Sequence, residues 1–362
     1  TLGMAIGGVA GRLAGAMNNC LNNAAINISA KYVSKLSTIE GTANVAPCVG
    51  GLVGLGGAGF SMSNSDNKGK VVFTNTEIEK TESSIQRISV AGIAGAPNGK
   101  ISKCNNYADV DVKLVSSGKA AFNDQNYVGV IGGISGGDYY AAGQDATNIE
   151  DCVNEGAISF YNDGTKSNSA FGGIVGWPGV EGAQKVATKN CTNKGKITFS
   201  GFGKARIGGV QGGTGNMEGC SNEGAVILES GNSGSVLGSL CGFHSQAHTI
   251  KSCKALGSVT AKATVGGIGG LIGNNGNAAN TSGEGCIVNC TISGGDANNS
   301  GLIIGLFNGN SKKITLGSTS NPIKVSGTVN GTTVTADNFK DLLHGSKNFK
   351  AENHILNAVF GK

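Results

Sequence analysis

The chain has 362 residues, of which 63 are glycine, 4 are proline and 10 are cysteine, and its net charge is +5. Glycine is more than twice as frequent as in ordinary globular domains, but it follows no Gly-X-Y period, which excludes a collagen triple helix. The lysines are scattered rather than clustered, which argues against a nucleic-acid-binding surface, and no run of about 18 apolar residues predicts a transmembrane helix.

A glycine-framed apolar pair recurs along the chain at intervals of about 28 to 43 residues. The copies, in chain order, are Gly8–Gly11, Gly51–Gly54, Gly92–Gly95, Gly133–Gly136, Gly173–Gly176, Gly209–Gly212, Ser239–Gly242, Gly267–Gly270 and Leu302–Gly305. Internal repetition at this period is typical of solenoids, in which each repeat is one coil.

A second motif, Cys-x-Asn-x-Gly-x-Ile/Val, follows the glycine element. It begins at Cys104, Cys152, Cys191, Cys220, Cys253 and Cys286, and its asparagines are Asn106, Asn154, Asn193 and Asn222. Cys20 begins an earlier copy and Ser65 replaces the cysteine of another, whereas Ala255 and Val288 replace the asparagine in the last two copies. These cysteines and asparagines define a structural column of equivalent residues.

Each column residue has a physical reason to recur. We expect the cysteine to be a small buried hydrophobe, the asparagine amide to bond the next asparagine along the stack, and the glycine to take a positive φ and approach the next coil closely. The apolar residue six positions after the cysteine should fill the interior. The column thiols should stay free, because stacked residues have parallel Cα–Cβ vectors that give the wrong dihedral angle for a disulfide.

The predicted fold is all-β. Three short strands per unit, without helical periodicity, indicate a single-stranded parallel β-helix of about nine coils, right-handed and on the order of 40 Å long. Residues 1–325 form the repeat domain in this prediction, and residues 326–362 form a C-terminal cap and tail. The stretch from Thr335 to Gly345 is predicted as a short capping helix with Thr335 as its N-cap.

The glycine element resembles the GLUG motif of bacterial cell-surface and adhesin-like proteins, and Gly51-Leu52-Val53-Gly54 matches it directly. The resemblance covers about residues 5 to 325 and implies a parallel β-helix located outside the cell. It supplies no catalytic residues. Because the first glycine element lies close to Thr1, we also expect that an export signal, and an upstream domain with it, precedes Thr1.

The candidate binding residues are aromatic. The loop after each glycine element carries, in successive coils, Tyr139 and Tyr140, then Trp177, then Phe243 and His244. Rings repeated along one corner would form a platform for sugar rings or for a partner chain. The alternative is that they pack over the apolar flank of the solenoid itself.

No catalytic, metal or cofactor motif is present. His244 and His248 are four residues apart, but in a loop, where exposed histidines are the simpler interpretation. The densest acidic region contains Asp109, Asp111, Asp138, Asp145, Glu150 and Asp151, but these residues fall in different parts of the coil. We therefore expect a non-catalytic surface protein that binds host or microbial glycans or surface proteins. A β-helical polysaccharide lyase or hydrolase and a pure structural spacer are the alternatives.

Overall fold

The computed structural model describes residues 4–32, 45–77, 87–115, 127–137, 147–164, 168–177, 187–213, 215–244, 248–276, 281–308 and 313–361. Strands dominate this part of the chain, and nearly all of them pair in parallel with the equivalent strand of the next coil. The predicted parallel β-solenoid is therefore confirmed at the level of strand stacking.

A full coil contains five strands, not the three expected from sequence. In the second coil these are Val45–Gly50, Val53–Gly56, Phe60–Ser63, Asp66–Asn67 and Val71–Glu77. The glycine element does not form one strand, because its first two residues make the corner between the first two strands. The Asn-x-Gly block likewise begins with a two-residue strand, which is too short to predict from alternating hydrophobicity.

Equivalent strands form four stacks, which we name sheets A to D. Sheet A contains Ala5–Gly7, Val45–Gly50, Arg87–Ala91, Tyr127–Gly132, Asn168–Gly172, Lys204–Gly208, Val236–Gly238, Gly267–Gly269 and Ser300–Gly301. Sheet B contains Ala10–Leu13, Val53–Gly56, Ala94–Ala96, Ser135–Gly137 and Val175–Trp177, then Cys241–His244, Ile272–Asn275 and Ile304–Phe307. Gln211 joins the two parts of sheet B through bridges to Val175 and Cys241.

Sheet C contains Ala16–Asn18, Phe60–Ser63, Gly99–Ser102, Asn148–Glu150, Ala187–Lys189, Asn216–Glu218, Thr249–Lys251, Thr281–Glu284, Ile314–Leu316 and His354–Leu356. Sheet D begins each coil with a short strand at Leu21–Asn22, Asp66–Asn67, Asn105–Asn106, Val153–Asn154, Thr192–Asn193, Ser221–Asn222 or Lys254–Ala255. Its longer strands are Ile26–Tyr32, Val71–Glu77, Val110–Leu114, Ile158–Asn162, Ile197–Gly201, Val226–Leu228, Val259–Ala261, Ile287–Ser293, Ile323–Val329 and Ala358–Phe360. The two-residue strand Thr332–Thr333 pairs with Ile323–Val329 in the antiparallel direction.

The interior is a continuous apolar core that runs through all coils. The residue six positions after each cysteine, such as Ile158, Ile197 or Val226, is fully buried there, as predicted. Phe160, Phe171 and Phe199 pack together with ring centroids 5.5 to 5.6 Å apart. Contacts between coils therefore repeat the same pairs of side chains.

The column residues confirm most of their predicted roles. All six column cysteines are buried and free. The side-chain amides of Asn22, Asn67, Asn106, Asn154 and Asn193 each donate to the next asparagine of the column at 2.8–2.9 Å. The last acceptor in this series is Asn222, whose own amide donates to Ser239 Oγ at 3.0 Å.

The predicted role of the block glycine was half wrong. Gly156 and Gly195 are not among the residues of positive φ. They approach the preceding coil so closely that a Cβ would lie 1.9 Å from the carbonyl oxygen of Ala108 or Gly156. The positive φ instead belongs to the residue before the cysteine, at Asn19, Asn64, Lys103, Asp151, Asn190, Gly219, Ser252 and Gly285.

The predicted helical cap is wrong. Only a four-residue 3-10 turn, Phe339–Leu342, forms there, and its N-cap is Asn338 rather than Thr335. The tail instead adds strands, because His354–Leu356 pairs with Ile314–Leu316 and Ala358–Phe360 pairs with Ile323–Val329, both in parallel. The strand Ile323–Val329 crosses the predicted boundary at residue 325.

Candidate functional site

The aromatic candidates that the structure describes lie at the end of sheet B. Trp177 pairs with Gly137 of the preceding coil, and the bridges through Gln211 place Trp177, Gly213 and Phe243 in three successive coils. Tyr139 and Tyr140 lie outside the described residues. The predicted row of aromatic rings is thus interrupted by Gly213, and Trp177 and Phe243 are two coils apart.

Arg206 fills the space between these two rings. Its guanidinium carbon lies 3.7 Å from the ring centroid of Phe243 and 5.4 Å from that of Trp177. The Trp177 ring covers Gly213, where a Cβ would lie 2.0 Å from the indole Cε3. The result is an aromatic–cation–aromatic cluster, which we name the Trp177 cluster (Trp177, Arg206 and Phe243).

The Trp177 cluster packs on the outer flank of the solenoid. Trp177 is only 5% exposed and contacts Val130 and Ala170, whereas Phe243 is half-buried. The described rings therefore shield the chain's own apolar surface, which is the packing alternative. Ligand contact at Phe243 and Arg206 stays a prediction.

His244 lies at the same corner but faces a buried polar network. Its Nδ1 is 3.0 Å from Thr281 Oγ1, and that hydroxyl donates to Asn275 Oδ1 at 3.0 Å. The direction of the His244–Thr281 bond depends on the imidazole tautomer, and Nδ1 donates to Thr281 when it carries the proton. Nε2 of His244 has no hydrogen-bond partner among the described residues.

The second histidine of the pair is also buried. The His248 ring meets the His244 ring edge-to-face with centroids 5.4 Å apart, and its Nδ1 has no hydrogen-bond partner in the described part of the chain. The interpretation of this pair as exposed loop histidines was wrong. Burial, together with the neighbouring His248, lowers the pKa of His244 to about 3, and burial lowers the pKa of His248 to about 4.

The acidic candidates for catalysis are separated and engaged in local contacts. Asp109 accepts from the Ala157 backbone N–H at 2.9 Å, and Asp111 forms an ion pair with Lys70. Glu150 pairs with Lys100 at 3.0 Å, and Asp151 accepts from Asn190 at 3.2 Å. Asp111 belongs to sheet D and Asp109 directly precedes its strand, whereas Glu150 ends a strand of sheet C and Asp151 follows it. Asp138 and Asp145 lie outside the described residues.

Within the described ranges, no group of three or more histidine, cysteine, aspartate or glutamate side chains is arranged to hold a metal ion. The same part of the chain contains no helix that is long and apolar enough to span a bilayer.

Sequence reasoning missed Arg206, Gly213 and Thr281. Arg206 lies in register with Ala170 and Val236 of sheet A, so its place over the neighbouring sheet B becomes visible only once both sheets are aligned. Gly213, which directly follows the glycine element, was the available signal, because it leaves room for a large ring from an adjacent coil. Comparisons of the chain with protein-family models, with curated proteins and with solved structures found no match.

Proposed function

We propose that this chain is a non-catalytic, exported surface protein of the GLUG-like type, in which a rigid β-solenoid presents binding loops at the corner between sheets B and C. The observation that carries the proposal is the contrast between constant coils and variable corners. The segment between these sheets ranges from two residues between Ala96 and Gly99 to ten between Gly137 and Asn148. Variable segments on a rigid scaffold are where solenoids place recognition.

The Trp177 cluster supports this choice of corner. It lies at the end of sheet B, and the segment that follows Gly137 in the sequence of the preceding coil contains Tyr139 and Tyr140. Phe243 and Arg206 keep partly exposed surfaces, and an arginine stacked on an aromatic ring offers both a flat face and hydrogen-bond donors. Such a surface suits the faces and hydroxyl groups of sugar rings.

Many charged side chains elsewhere on the surface pair with each other within the chain. Ion pairs join neighbouring coils at Lys100–Glu150, Lys194–Glu155, Lys251–Glu284 and Lys262–Glu229 with N–O distances of 2.7 to 3.0 Å. Exposed pairs of this kind contribute little stability, but they leave those charges paired within the chain. This observation favours the spacer as the second candidate function.

A glycan array, probed with the purified chain and with a double variant Tyr139→Ala/Tyr140→Ala, tests the proposal. We expect binding to a defined glycan class that the double variant loses. Tyr107→Ala is the matched control, because Tyr107 is 43% exposed in the Asn106-Tyr107-Ala108 turn at a different corner and should not affect binding. Absence of binding by the parent chain would favour the spacer, and cleavage of any glycan would contradict the non-catalytic assignment.

A further inference from the structure

The six column cysteines lie directly on top of one another. The residues that follow them are in parallel register, because Asn105 pairs with Val153, Val153 with Thr192, and Thr192 with Ser221. The series continues through Lys254 to Ile287. Neighbouring rungs of such a ladder are about 4.8 Å apart, so the six thiols form one straight file inside the solenoid.

The sulfur atoms in this file are neighbours along the stack, and their protons are directed at backbone carbonyls. For instance, the Cys191 thiol donates to the Lys189 carbonyl at 3.2 Å and the Cys253 thiol to the Lys251 carbonyl at 3.2 Å. The Cys104 backbone N–H points at the sulfur of Cys152 at 3.4 Å. Exposure of all six is 0 to 1%, so no water competes for the sulfur lone pairs.

A straight file of thiols suits one coordination geometry. Zinc needs four donors around one point, which a single file cannot supply. A linear two-coordinate ion needs only two sulfurs on opposite sides, and metal–sulfur bonds of about 2.3 Å would place them about 4.6 Å apart, which matches the rung spacing of about 4.8 Å. Soft thiolate ligands also select soft ions over hard ones.

We propose that neighbouring thiols of this file bind soft d10 metal ions of the Hg²⁺ type in linear sites, one ion between two adjacent cysteines. Two thiols release two protons, two sulfur–metal bonds form, and the RS–Hg–SR product is neutral. Neutrality matters because an uncompensated charge in this buried file would be strongly disfavoured. Six thiols in a row make three adjacent pairs, from Cys104 to Cys286, so three ions fill the file.

Serine is an accepted replacement in this file. Ser65 occupies the equivalent position in the second coil, and its Oγ donates to the Ser63 carbonyl at 2.7 Å, just as the Cys104 thiol donates to the Ser102 carbonyl at 3.3 Å. Cys191→Ser should therefore fold while removing one sulfur from the middle of the file. Cys48→Ser is the matched control, because Cys48 is buried but belongs to a separate cluster with Leu55 and Ala96.

Native mass spectrometry after titration with Hg²⁺ and removal of weakly held ions with EDTA decides the proposal. The parent chain and Cys48→Ser should retain three ions, and Cys191→Ser should retain two, because the pairs Cys104–Cys152 and Cys220–Cys253 remain. Retention of no ion by the parent, or of equal numbers by the parent and Cys191→Ser, would overturn the proposal.

X-ray absorption on the Hg²⁺-loaded parent chain gives an independent answer if Cys191→Ser does not fold. Two sulfur neighbours per ion at one distance of about 2.3 Å are expected. One sulfur per ion, or three, would contradict a linear site between adjacent thiols.

Discussion

At the scale of single residues, the asparagine column connects the coils by bonds that the backbone ladder does not provide. The amide of Asn106 donates to Asn154 at 2.8 Å and to the Ala108 carbonyl at 2.7 Å, while its oxygen accepts from Asn67 at 2.9 Å. The two bonds between asparagines are buried and the bond to Ala108 is partly buried, so solvent does not fully replace the bonds lost on substitution. The column thereby fixes the alignment of neighbouring coils.

Asn106→Ala should lower the free energy of unfolding by about 3 kcal/mol, because three hydrogen bonds, two of them buried, are lost at about 1 kcal/mol each. Urea denaturation followed by circular dichroism measures the change. Asn105→Ala is the control in the same strand, since the half-buried Asn105 makes one side-chain bond, to Asp66 at 3.0 Å, and should cost under about 1 kcal/mol. Equal losses for both variants would contradict a special role for the column.

The buried histidine pair makes stability depend on pH. The pKa values of His244 and His248 in the folded chain, about 3 and about 4, are below their ordinary value of 6.5. Below pH 6.5 the unfolded chain therefore binds more protons than the folded chain. The stability present above pH 6.5 is lost as the pH falls towards 4, by up to about 1.4 kcal/mol per pH unit for each imidazole.

The next coil supplies the control for this prediction. Asn275 is in register with His244, and Thr281 is one residue before Ser282, which pairs with Thr249. The double variant His244→Asn/His248→Thr copies that neighbouring pair and carries no titrating group. Urea unfolding at pH 7.5, 6 and 4.5 should show a steeper loss of stability for the parent than for the variant, and parallel curves would refute the assignment.

At the scale of the element, glycines set the distance between sheets A and B. A Cβ on Gly176 would lie 2.3 Å from the Gly136 carbonyl oxygen and 2.5 Å from the Ile131 nitrogen. The fourth residue of the glycine element is in the same situation in other coils, for instance Gly95 and Gly212. This is the physical reason for the glycine frame, because sheet B lies against the backbone of sheet A with no room for a side chain.

Gly176→Ala should cost more than about 3 kcal/mol, at the upper end of single substitutions, because both clashing atoms belong to the backbone and cannot rotate away. Gly57→Ala is the control, since its Cβ would meet nothing closer than 3.6 Å. Thermal unfolding monitored by circular dichroism compares the two variants. A Gly176→Ala variant as stable as Gly57→Ala would show that the two sheets can separate.

The residue before each cysteine has a left-handed backbone conformation. Among these residues, Lys103, with φ of 53°, is the least suited to that conformation. Lys103→Asn should be neutral or slightly stabilising, because asparagine tolerates this conformation. Lys103→Val should destabilise by about 1–2 kcal/mol, because a β-branched side chain does not. Melting temperatures of the two variants test the prediction, and an equal effect of both would contradict it.

Sequence alone was sufficient for the residues whose environment repeats in every coil. Cys191, Asn193 and Ile197 each meet their own equivalent above and below, so periodicity predicts their burial directly. The strands of sheet A, the left-handed corner and the Trp177 cluster were not predicted, because they depend on which residues of different sheets face each other. The prediction for the tail failed for a related reason. The end of the predicted helix forms a parallel bridge between His344 and Ile304, and the following strand His354–Leu356 pairs with Ile314–Leu316.

At the scale of the whole molecule, the chain is a stack in which each coil contacts mainly its two neighbours. Sheet A, for example, runs through nine strands in strict chain order. The stability of such a stack is approximately a sum of coil terms and interface terms. A complete coil should therefore be removable, provided that the cut joins equivalent positions.

Deletion of residues 104–151 makes this cut, because it joins Lys103 to Cys152. Lys103, with φ of 53°, then takes the place before Cys152 that Asp151, with φ of 54°, occupies in the parent chain. Asn67 would then donate to Asn154 and Phe73 would pack beneath Phe160, with every sheet still in register. We expect a folded protein with a parallel-β circular dichroism spectrum and a urea m-value reduced in proportion to its length, because the slope scales with the surface exposed on unfolding. Deletion of residues 104–127 removes half a coil, misaligns all four sheets and should abolish cooperative unfolding, whereas equal tolerance of both deletions would show that the coils are not the folding units.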